Sequence, residues 1–226
     1  ITLPFTFTFN GTACDRVYIS NNGFITLANS TTTTAPTATT YNPISAATGY
    51  VGAIAGYGYD MRQSTASGAS SEIRYQTLNS TPNQVFVVQF TDIARSTNPS
   101  SEKLTFQIRL SETTNKVDIV YNTPTVAATS TTASNFGQVG LRGSSNTSFS
   151  NRMVYATSPY NTWSASGAAG DNGNTARITS GTGVGGPNVM IFTTAYFPTA
   201  GLTYSWTPVS SSFYQSLPYT QNFENA

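Results

Sequence analysis

L104-T-F-Q-I-R-L-S-E-T-T-N-K-V-D-I-V-Y121 decides how this chain is read. Leu104, Phe106, Ile108 and Leu110 fall on alternate positions, with Thr105, Gln107 and Arg109 between them. A period of two belongs to a half-buried strand, since successive side chains of a strand point to opposite faces. S111-E-T-T-N115 is a turn-forming run, and V117-D-I-V-Y121 resumes the alternation with one slip at Val120. Strand, short turn and strand make an antiparallel hairpin. Working outward, V85-F-V-V-Q-F90 is apolar on both faces, as a central strand would be. L3-P-F-T-F-T-F9 sets Leu3, Phe5, Phe7 and Phe9 against Pro4, Thr6 and Thr8. Turn signals separate the runs: N10-G, N21-N-G23, N79-S-T-P82 and T97-N-P99. No long stretch carries a helical period. The expected fold is an all-β, antiparallel two-sheet β-sandwich of about twelve strands with almost no helix.

The composition narrows the function classes. Of 226 residues, 38% are hydrophobic and 12% aromatic, enough to bury a core. Only 8% are charged, against about 25% in an ordinary soluble domain. Ser and Thr together number 65 and Asn 19, so hydroxyls and amides wet the surface. Secreted, wall-associated and adhesive proteins have this character. The net charge is +1, with two lysines, so there is no basic stripe to neutralise nucleic-acid phosphates. No apolar run approaches the roughly 20 residues that span a bilayer. The chain opens at Ile1 with neither Met nor a secretory leader, as a processed chain or an excerpt would. Cys14 stands alone, so an intrachain disulfide is excluded. Its thiol is read as buried and inert, with pairing between chains as the alternative. Histidine is absent, which removes Ser-His-Asp catalysis and most transition-metal sites.

The order of several short motifs carries a resemblance. A Phe-rich strand, N10-G, V17-Y-I-S-N-N-G-F-I-T-L27 and G52-A-I-A-G-Y-G-Y-D60 follow one another in the first half. V139-G-L-R-G143, F149-S-N-R152, N161-T-W163 and F197-P-T-A-G-L-T-Y-S-W206 follow in the second. Together they resemble the nidogen-like extracellular β domain. In particular they look like the form found in very large surface proteins of the Bacteroidota exported by type IX secretion. The resemblance covers residues 3 to 208. It implies one β-sandwich domain over residues 1–208, an extracellular or bacterial cell-surface location, and a structural or adhesive role.

The chemistry available is sparse. Nine carboxylates are present, and Asp60, after Tyr57 and Tyr59 in an apolar run, is the most suggestive. With Asp92 nearby it would give the pair a glycosidase needs. Strand capping, or pairing with Arg62 or Arg95, explains the same residues without catalysis. G170-D-N-G-N174 alternates oxygen ligands around glycine, yet one carboxylate is too few for a calcium loop, and Asx-turn chemistry accounts for it. No metal or cofactor is therefore expected. Arg142 and Arg152 are read as structural, bonded to carbonyls or to Asp60 or Asp118. Flat aromatic faces beside amides and carboxylates can hold saccharides, which makes Tyr57, Tyr59, Asp60 and Trp163 the candidate glycan residues. Trp206, in an alternating run, reads as core, whereas Trp163 sits in a polar segment.

After S210-S-S212 comes L217-P-Y-T-Q-N-F-E224, which echoes L3-P-F-T-F-T-F-N10. Residues 209–226 are read as a linker plus the first strand of a following module, or as a strand exchanged between subunits through Leu217, Tyr219 and Phe223. The expected function is a non-catalytic structural or adhesive module, with a carbohydrate-binding accessory module of a secreted hydrolase as the alternative. Expected partners are neighbouring modules, copies of the chain and surface glycans, with no nucleic acid and no membrane span.

Overall fold

The computed structural model describes residues 1–31, 34–37, 40–127, 136–152, 162–164 and 190–208. Thirteen strands and no helix lie among them, arranged in two antiparallel sheets. The first sheet runs β1 (Thr2–Phe9), β2 (Thr12–Ser20), β3 (Phe24–Ala28), β4 (Gly52–Gly58), β10 (Phe136–Arg142), β11 (Phe149–Arg152), with β12 (Met190–Ile191) also on β10. The second runs β13 (Thr203–Trp206), β9 (Val117–Tyr121), β8 (Leu104–Ser111), β7 (Val85–Arg95). Two strands share the far side of β7: β5 (Met61–Gln63) and β6 (Glu72–Leu78). The all-β sandwich read from the sequence is the fold observed, with one strand more than the dozen expected.

Alternation places the core. Leu3, Phe5, Phe7 and Phe9 of β1 are buried while Thr2, Pro4, Thr6 and Thr8 are exposed. β8 buries Leu104, Phe106, Ile108 and Leu110, and β9 pairs with it from Phe106–Tyr121 to Leu110–Val117. The N–H of Ser111 donates to Lys116 O at 3.0 Å, closing the hairpin. β7 is central, as its two-faced apolar run predicts, and every residue of β4 is buried. The sheets approach closely at Gly56, where a β-carbon would lie 2.1 Å from the Phe106 ring. Only a residue without a side chain permits that contact.

The same place breaks the alternation. The N–H groups of Gly56 and Tyr57 both donate to Gly23 O, at 3.0 and 3.2 Å. Two residues therefore oppose one, and the pairing of β4 with β10 shifts between Gln138 and Gly140. A bulge of this kind re-aims the side chains that follow it. Gly23, at φ +79°, makes room by lacking a side chain: a β-carbon there would lie 2.2 Å from Tyr57 O.

Candidate functional site

Two of the four candidate glycan residues, Tyr57 and Trp163, lie inside the core. Tyr57 is fully buried and Trp163 is 1% exposed. Their rings stack on each other at 6.2 Å, and each also touches Phe192. Trp163 meets Tyr121 edge-on at 5.2 Å, and Tyr121 meets Tyr204 at 5.7 Å. The polar tips are satisfied inside: Trp163 Nε1–H donates to Ile191 O at 2.7 Å, Tyr121 OH to Gly56 O at 2.6 Å and Tyr204 OH to Trp163 O at 2.6 Å. No face of Tyr57 or Trp163 is open to a sugar; together they form the aromatic centre of the core. Burial pushes the Tyr57 and Tyr121 hydroxyls well above the usual phenolic range. Tyr59 is half-buried and packs against Tyr57 at 6.1 Å, and Asp60 is half-buried at the end of the same segment. Trp206, read as core, is 7% exposed.

The charged residues near this centre are structural. Arg95 and Glu102 are both fully buried and form a two-pronged pair, with Arg95 Nε–H donating to Glu102 Oε2 at 2.9 Å and Nη2–H to Oε1. The guanidinium also lies 5.1 Å from the centre of the Phe192 ring. Burial alone would lower the Arg95 pKa, but the Glu102 hydrogen bonds together with the electrostatics of Tyr57, Glu102 and Tyr59 outweigh it and the net direction is upward. Pairing of a carboxylate with Arg95, the structural reading of the sequence, is thus made by Glu102. Asp92, at φ +47°, instead accepts hydrogen bonds from the Ser70 N–H (3.0 Å) and the Thr105 hydroxyl (3.3 Å). That is turn chemistry at the β7–β8 register shift. Arg142 donates to Pro43 O and Thr48 O, the carbonyl bonding read from the sequence, and burial lowers its pKa. Arg152 lies 4.5 Å from the Tyr204 ring centre. Among the described residues, no three His, Cys, Asp or Glu side chains cluster as a metal site. Asp171 to Asn174 and residues 209–226, with Leu217, Tyr219 and Phe223, lie outside the described residues.

An open cleft sits elsewhere, at the end of the sandwich where the β1–β2 turn meets the β8–β9 hairpin. It holds about 850 Å³ and is lined by Phe9, Asn10, Asn115, Phe149, Ser150 and Trp206 among others, none of them charged. Asn10 (φ +49°) and Gly11 (φ +77°) make the tight turn, and Asn115 (φ +49°) ends the hairpin. The Asn115 side-chain oxygen accepts the Thr8 N–H at 2.7 Å, joining the two sheets at the cleft wall. Trp206 Nε1–H donates to Ser150 Oγ at 2.9 Å on the other wall. Apolar rings with hydroxyl and amide rims suit an uncharged, hydrogen-bonding ligand. Asn10 and Asn115 carried only turn signals in the sequence; strand order, which local pattern does not encode, brings them together.

Comparison with known proteins bears on the whole described sandwich. A family profile described as NIDO related matches residues 1–208. No curated protein and no solved structure matches the chain. Domains of this family are generally extracellular and non-enzymatic. No helix among the described residues is long and apolar enough to cross a membrane. The buried aromatic centre and its locked arginines fall within the matched span, and the chain belongs to the NIDO-related family.

Proposed function

We propose that the chain is a non-catalytic structural and adhesive module of a large secreted surface protein or filament. Type IX export in the Bacteroidota is the setting its motifs suggest. The family match over residues 1–208 carries this reading. Its composition supports it: with charge scarce and hydroxyls and amides plentiful, copies and neutral surfaces approach without strong repulsion. Residues 209–226 then serve as a connection, either to a following module or between subunits. The test is retention on surfaces. Beads displaying residues 1–226 should hold to glycan- or protein-coated plates above the level of bare beads. Retention equal to bare beads, together with turnover of a polysaccharide, would overturn the reading.

The uncharged cleft favours a second reading, a carbohydrate-binding accessory module. Binding on a glycan array, or pull-down on insoluble polysaccharide, should then drop when Phe149 or Asn115 becomes Ala. Equal binding by the variants would remove this cleft from consideration.

A further inference from the structure

β6 differs from every other edge strand among the described residues. Three of the five most exposed large apolar side chains belong to it: Ile73 (37%), Tyr75 (56%) and Leu78 (42%). All seven of its residues pair in unbroken register with β7, from Glu72–Thr91 to Leu78–Val85. Alternate N–H and C=O groups on its other side are therefore presented outward. Ile73 and Tyr75 sit opposite the core residues Phe90 and Val88, so they lie on the inward face of the sheet. The Tyr75 ring touches Phe86 at 5.8 Å, yet more than half of the residue is uncovered.

The other edges are guarded. β1 has no donor at Pro4, shifts register between Thr2 and Phe7, and gives its Thr8 N–H to Asn115. β5, β11, β12 and β13 are four residues or shorter. A long, unbroken edge bearing apolar side chains is a template for another strand.

We infer that β6 accepts the L217-P-Y-T-Q-N-F-E224 segment of a second copy as an added antiparallel or parallel strand. The proposal rests on the structural reading above and names its partner. The segment has the required period of two, with Leu217, Tyr219 and Phe223 on one face to continue over Ile73 and Tyr75. Pro218 suits a strand that becomes the new edge. Topology favours the neighbour over the same chain. The segment follows β13, at one edge of the sheet, while β6 is at the opposite edge. Four strand spacings of about 4.8 Å separate them, so a chain's own β6 is reached only by crossing the whole outer face. The edge of a second copy can be set directly beside β13. Donor and acceptor are then different surfaces, and such contacts repeat head to tail into an open chain.

Sedimentation and light scattering of the full chain from about 1 μM to 1 mM test this across the affinity range of weak to moderate interfaces. The mass should climb past the dimer as concentration rises. Ile73→Lys with Tyr75→Lys kills the acceptor, and Tyr219→Asp with Phe223→Asp kills the donor; each variant alone should stay monomeric with unchanged near-UV dichroism. Mixed, they should form a one-to-one dimer, because one live donor meets one live acceptor. A labelled peptide of residues 213–226 should bind the parent chain at least tenfold more tightly than the same peptide carrying Tyr219→Asp and Phe223→Asp, which keeps the inference testable if the Lys variant misfolds. A monomer at every concentration, a closed dimer, or assembly untouched by both variants would overturn the inference. Loss of surface retention with assembly intact would instead count against adhesion alone.

Discussion

The misread residues are Tyr57 and Trp163, and the cause is local. An aromatic close to a carboxylate reads as a sugar-stacking face, and a tryptophan in a polar run reads as exposed. The bulge at Gly56–Tyr57 turns the first inward. The second is carried into the core by neighbours distant in sequence, Tyr57, Tyr121 and Phe192. Trp163→Ala should therefore lower stability by about 3–5 kcal/mol in urea titration. Trp163→Phe should cost less, leaving chiefly the Ile191 carbonyl without its donor. A Trp163→Ala variant of parental stability with lost glycan binding would restore the sugar-site reading. Cys14 was read as buried, and it is 1% exposed. Burial, helped by Asp15, pushes its pKa from 9.0 up to about 11. The unfolded thiol loses its proton first, so this contribution to stability is complete below pH 9 and shrinks as pH rises toward 11. Tyr57 and Tyr121 shift the same way and steepen the alkaline loss above pH 10. Urea midpoints of the parent and Cys14→Val should diverge in slope only above pH 9; parallel profiles to pH 11 would show the thiol is not protected by burial.

At the scale of elements, strands were legible and their partners were not. Period-two runs gave β1, β8 and β9 because one face of each strand is buried and the other is more open to water, and a two-faced apolar run gave β7. The β8–β9 pairing also followed, since a five-residue turn leaves few alternatives. Pairing β10 with β4, or β13 with β9, spans some 80 residues of chain, and local pattern does not encode it. Gly56 shows what such long-range contacts demand. Gly56→Ala places a methyl group against the Phe106 ring, and overpacking of this kind costs about 1–3 kcal/mol. Gly56→Ala combined with Phe106→Leu should recover part of that loss in a double-mutant cycle; strictly additive losses would mean that the two residues do not press on each other. The Arg95–Glu102 pair ties the end of β7 to the connection entering β8. Glu102→Gln leaves a buried guanidinium without its counter-charge and should cost about 3–5 kcal/mol, measured by the same titration.

For the whole molecule, the sparseness of charge is the property most plainly written in the sequence, and it has a physical consequence beyond family membership. The ion pairs among the described residues divide in two. Arg95–Glu102 is sealed from solvent, whereas Arg16–Asp15, Arg74–Glu72 and Lys116–Asp118 are exposed or partly so and join residues one or two apart. Exposed pairs contribute about 0–1 kcal/mol each and are screened by salt, while buried pairs are screened far less. The stabilising bulk is apolar: the aromatic centre, the β1 phenylalanines and the β7–β9 core residues form one buried cluster. With a net charge of +1 there is also little self-repulsion for salt to relieve. Raising sodium chloride from about 0.05 to 0.5 M shortens the screening length from about 14 to 4 Å. It should move the melting temperature by no more than about 2 °C, the shift expected for a few tenths of a kcal/mol in a domain of this size. The Ile73→Lys, Tyr75→Lys variant adds two cations beside Arg74 on an exposed edge, so its melting temperature should rise with salt where the parent's stays level. A parent chain that gains or loses many degrees over the same range would show that surface charge, not the apolar core, governs the fold.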